Sequence, residues 1–210
     1  MPFADDTVVH DPAVINAASS ENLAEALLTS PIFGALFPGV AYVLAVLLQT
    51  ELNDLVNMAY GSSILYLTFG VRLFVALVFG FKGLLWMILG QLFIFVFYPT
   101  PYYEQHPVEG FLLTCWYSVL ALLSVELVRK IKRLEPNFIR VKNADILLIT
   151  FFAALFSSVS HFRVLGDYFA APIYNMFMSF AAKFVGSMIG FYTLMLFFSL
   201  LYGFKFSKNK

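Results

Sequence analysis

Ser63-Ile64-Leu65-Tyr66-Leu67-Thr68-Phe69-Gly70-Val71-Arg72-Leu73-Phe74-Val75-Ala76-Leu77-Val78-Phe79, then Gly80-Phe81-Lys82-Gly83, then Leu84 to Tyr98, decide the fold. The first run carries a single charge and approaches the ~20 apolar residues that cross a bilayer as a helix. The four-residue connector is too short to do anything but turn the chain back, so the two runs read as a helical hairpin. The second run stops at Pro99-Thr100-Pro101, because proline cannot continue a helix, and Tyr102 and Tyr103 suit the bilayer interface.

Composition says the same of the whole chain. Its 210 residues are 60% hydrophobic and 12% charged, with mean hydropathy +0.82. Soluble domains carry about twice that charge density. A soluble domain, a disordered chain and a disulfide scaffold are therefore excluded, and an all-α polytopic transmembrane helix bundle remains. The net charge is zero, which argues against a nucleic-acid partner. Cys115 is the only cysteine; alone in an apolar run, it reads as a small core residue.

Working outward from the hairpin, further spans are expected at about 32–48, 108–128, 144–162 and 183–202, six in all. Pro38-Gly39 sits inside the first of these. A short amphipathic or re-entrant piece is expected to precede the last, ending near Ala182. Residues 1–30 hold five acids and no Lys or Arg; this is no signal peptide, and reads as a cytoplasmic or interfacial leader. The membrane domain is 31–204, and 205–210 form a basic cytoplasmic tail. Arg129, Lys130, Lys132, Arg133, Arg140 and Lys142 crowd one loop. With both termini cytoplasmic, that loop, Lys82 and the tail place ten of the thirteen basic residues inside, as the positive-inside rule requires. The expected location is the inner (plasma) membrane, multi-pass.

Charge inside a span is costly and asks for a reason. Arg72 lies near the middle of the second span with no acid deep in any other. It either binds an anionic or carbonyl group of a ligand, or pairs with backbone carbonyls or snorkels to an interface. Lys183 shares a helical face with Gly186 and Gly190; it is either a snorkelling lysine above a packing seam or a second cation near Arg72. Ser157, Ser160 and His161 cluster at the outer end of the fifth span. Hydroxyls there often bond their own helix backbone, while His161 suits ligand contact or proton sensing. The basic loop reads as a contact for anionic lipid or a cytoplasmic partner. His10, His106 and His161 are too scattered for a metal site. No nucleophile motif, P-loop, dinucleotide fingerprint or potassium filter is present. No catalytic residue, metal or cofactor is assigned.

The run 63–80, the Leu89-Gly90 step within Leu84 to Leu92, and the Gly186/Gly190 helix from Phe184 to Leu194 are similar to parts of MASE-type integral membrane sensor domains. Thr68 stands where that pattern prefers Pro, and no kinase or cyclase output domain follows. The resemblance implies a sensory or ligand-binding membrane module. The expected function is thus a non-enzymatic sensor or interaction module that works through a membrane or cytoplasmic protein partner in trans. A small transporter for an anionic substrate and a structural subunit of a larger membrane complex are the alternatives.

Overall fold

The computed structural model describes residues 30–55, 65–98, 107–133, 141–165 and 172–202. The leader up to residue 29, the tail and Arg140 lie outside them. The described residues are helical, without strands: α1 (Pro31–Leu55), α2 (Leu67–Phe97), α3 (Pro107–Lys132), α4 (Asn143–Leu165) and α5 (Pro172–Tyr202). All five are long and apolar enough to cross a membrane. Three begin on proline, whose missing N–H costs nothing in a first turn that has no acceptor for it.

α2 is not one rod. Gly80 has φ 57° and ψ −143°, a combination open to glycine and strained for any residue with a Cβ. There the chain reverses. Arg72 and Gln91, which a straight helix would hold almost 30 Å apart at about 1.5 Å per residue, both hydrogen-bond the Ser118 hydroxyl. α2 is therefore the hairpin that the Gly80–Gly83 connector predicts, with legs 67–79 and 81–97. The second leg ends before Pro99, with the Tyr98 N–H returned to the Ile94 carbonyl at 2.8 Å.

The first leg is the axis of the bundle. Every residue from Leu67 to Leu77 is buried, which explains why the run is apolar on all sides rather than along one stripe. α1 lies antiparallel to it, with Tyr42 against Arg72 and Gln49 against Thr68. α1 also touches the second leg where Gly39 meets Gly90 backbone to backbone. α3 runs antiparallel to the second leg, pairing Gln91 with Ser118 and Phe95 with Phe111. α4 returns along α3, from Lys132–Asp145 at one end to Tyr117–His161 at the other. α5 returns along α4 and closes on the first leg. A Cβ on Gly70 would lie 2.5 Å from the Ser187 carbonyl oxygen, and one on Gly190 2.7 Å from that of Leu67. Gly186 sits directly on the Tyr66 backbone. Small residues permit this approach, the usual solution where lipid gives helices no hydrophobic reason to associate.

Two expectations need correction. The segment before Lys183 is not a re-entrant piece: α5 is a single helix of 31 residues. Nothing between Pro172 and Gly186 breaks a helix, and the surplus over an ~30 Å hydrocarbon core is accommodated by tilt or protrusion. Lys183 consequently sits three turns inside a helix, not at the edge of a span. The first helix also runs past Leu48 to Leu55, taking in part of what reads as a polar connection.

Candidate functional site

Two buried cations organise one half of the bundle. Arg72, on the axial leg, is 4% exposed, and Lys183, on α5, is 1% exposed. The Arg72 Nε donates to Ser118 Oγ at 3.2 Å and Nη2 donates to the Tyr42 hydroxyl at 2.9 Å. Its guanidinium carbon stands 5.0 Å from the Tyr42 ring centre, 5.8 Å from Tyr117 and 5.9 Å from Phe69. Lys183 Nζ donates to the Ser157 carbonyl at 3.1 Å, and lies 4.8 Å from the Tyr117 ring centre and 5.5 Å from Tyr66. Tyr117 is thus shared by both cations, and its hydroxyl meets His161 Nδ1 at 2.7 Å.

Depth follows from helix position. Tyr42, Ser118 and Gln91 each lie within a turn of the middle of their helix or leg, so Arg72 is held at mid-height in the bundle. Neither cation has a carboxylate within ion-pair distance among the described residues. Glu126 is taken by Arg129 at the far end of α3. Asp145 accepts the Lys142 N–H at 3.1 Å across the start of α4, with Lys132 at 3.9 Å, again at that far end.

Rings and neutral hydrogen-bond acceptors offset part of the cost of burying these charges. A desolvated cation–π contact contributes up to about 2 kcal/mol, against several kcal/mol for taking one ion out of water. The two charges also repel. At an effective dielectric of about 20, two unit charges about 5 Å apart interact by about 3 kcal/mol.

The sequence candidates divide under this geometry. Arg72, Lys183 and His161 converge on Tyr117. Ser157 contributes its carbonyl, not its hydroxyl; the hydroxyl bonds Ala154 of its own helix at 3.2 Å. Ser160 accepts from the half-exposed Trp116 indole at 3.1 Å and hydrogen-bonds neither cation. Gly186 and Gly190 line the seam with the axial leg. In the basic loop, Arg129 pairs with Glu126 and Lys132 with Asp145, while Lys130, Arg133 and Lys142 are exposed.

Sequence reasoning missed Tyr42, Tyr66, Phe69, Gln91, Tyr117 and Ser118. It looked for acids to satisfy Arg72, and the partners are hydroxyls and rings. The available signal was Gln91 and Ser118, each a hydrogen-bonding side chain in the middle of an apolar run. No protein-family model, no curated protein and no solved structure matches the chain, so the functional argument stands on this geometry.

Proposed function

We propose that the chain is a non-enzymatic integral membrane sensor or interaction module that takes a small anion between its helices and acts through a protein partner in trans. The observation that carries this reading is the pair Arg72 and Lys183, buried on one shared tyrosine without a carboxylate among the described residues. The site is spread over α1, both legs of α2, α3, α4 and α5, so an occupant would bias how all of them pack. That coupling suits a sensor, because a bound charge then changes the shape offered to a partner.

The six-span arrangement belongs to the same proposal, counting the two legs of α2 separately. The Gly80–Lys82 turn, the end of α3, the start of α4 and the end of α5 share one end of the bundle. The described basic residues at the end of α3 and the start of α4, Lys82, the start of α1 and the end of α5 therefore fall together, which supports a cytoplasmic placement of that end in an inner membrane by the positive-inside rule. That basic face is the proposed contact for anionic lipid or the partner. A second reading, a small anion transporter, is favoured by the mid-height position of Arg72, since transport sites sit near the bilayer midplane.

The test is thermal unfolding of the full chain in lipid nanodiscs across a series of small anions at constant ionic strength. Wild type is expected to gain stability with anion and Arg72→Leu to gain none. Equal response in both would remove the proposal. Uptake of labelled anion into proteoliposomes would favour the transporter, whereas binding without uptake favours the sensor.

A further inference from the structure

The corner beside Arg72 is not chemically uniform. Gln91 is 3% exposed and its Nε2 donates to Ser118 Oγ at 2.6 Å, the same oxygen that accepts from Arg72 Nε. The Gln91 Oε1 is buried and has no hydrogen-bond partner. A buried amide oxygen without a donor costs about 1–3 kcal/mol, so it marks a place where a donor belongs. Arg72 spends two of its five N–H groups on Ser118 and Tyr42 and keeps the others. Unused donors and an unused acceptor thus flank one hydroxyl, at mid-height in the bundle.

We infer that this corner binds a small monovalent oxyanion that carries its own O–H, of the bicarbonate or dihydrogen phosphate type, and selects it over anions that only accept. This rests on the anion-binding reading above and names the ligand class of the same site. Oxyanion oxygens accept from the free Arg72 N–H groups, while the ligand O–H donates to Gln91 Oε1. Chloride or nitrate would satisfy the cation and leave the amide oxygen orphaned. Three rings stand within 6 Å of the guanidinium carbon, so only a small occupant suits this corner. Mid-height placement separates the site from lipid headgroups, so the ligand is a free ion.

The experiment is calorimetric titration of the full chain in zwitterionic nanodiscs with bicarbonate and with nitrate, at a mildly alkaline pH where bicarbonate dominates. The two ions are alike in size and charge and differ in the O–H. Wild type is expected to prefer bicarbonate by about tenfold, the value of one good hydrogen bond in a buried site. Gln91→Met keeps the length of the side chain and is expected to bind both ions within about twofold of each other. Equal wild-type affinity for the two ions overturns the inference and leaves the anion reading standing. Binding of neither ion overturns both. A preference that survives Gln91→Met also overturns it. Should Gln91→Met not assemble, Gln91→Leu replaces it, because it too removes the amide oxygen that accepts from the ligand O–H, and the preference must again fall to within about twofold.

Discussion

The two halves of the bundle solve the same packing problem with different chemistry. Toward the basic loop, Phe33, Phe37, Phe74, Phe79 and Phe198 stack and cross at centroid separations of 5.1–6.4 Å. From mid-height toward the other end, Arg72, Lys183, Gln91, Ser118, Tyr117 and His161 form a continuous polar contact set. Phenylalanine is as comfortable in lipid as in protein, so the first half holds together through shape and dispersion, not exclusion from water. Its geometry can slip at modest cost. In the second half a polar group left without a partner is costly, because hydrocarbon offers no substitute. The polar half therefore fixes one arrangement, and the aromatic half fills the volume that arrangement leaves.

The largest expected effect breaks both halves together. Gly70→Val places carbon against the Ser187 carbonyl and the Phe191 nitrogen, which are backbone and cannot rotate away. A loss of about 3 kcal/mol or more is expected, read as failure to run as a monodisperse peak in mild detergent. Next comes the hinge that brings the legs together. Gly80→Ala must hold φ 57° with a Cβ, at about 1–3 kcal/mol, and thermal unfolding in detergent measures it. Third is the contrast itself. Phe37→Leu is expected to cost about 1 kcal/mol through lost ring contacts and leave anion response intact, whereas Arg72→Leu abolishes that response. Equal effects on anion response would erase the distinction between the halves. Tyr117→Phe keeps the ring beside both cations and removes the His161 hydrogen bond, for about 1 kcal/mol in unfolding. The smallest effect is Ser160→Ala, within about 0.5 kcal/mol, since the Trp116 contact it removes lies at an exposed edge.

These effects also separate what was legible in sequence from what was not. The hairpin was legible because two apolar runs with a single charge between them, a glycine turn and a terminal proline are local signals. The Gly186/Gly190 seam was legible as spacing, although its partner face, Tyr66 to Gly70, was not. Arg72 stood out as a lone charge, yet its surroundings did not, because tyrosine and serine are ordinary residues in a span until three helices bring them together. Lys183 was read at the edge of a span for a related reason. A lysine after an interfacial-looking stretch resembles a boundary, and only the unbroken course of α5 carries it inward. Ser160 was grouped with Ser157 and His161 by proximity in sequence, but its hydroxyl bonds the Trp116 indole at an exposed edge instead of the cation cluster.

The most direct measurement of the central claim is the unfolding midpoint of the full chain in nanodiscs, with and without a saturating small anion, compared between wild type and the Arg72→Leu, Lys183→Leu and Phe37→Leu variants. The account predicts an anion-dependent rise in wild type and Phe37→Leu, and none when either cation is removed. An anion-dependent rise that persists without Arg72 and Lys183, or its absence in a folded wild type, would contradict it.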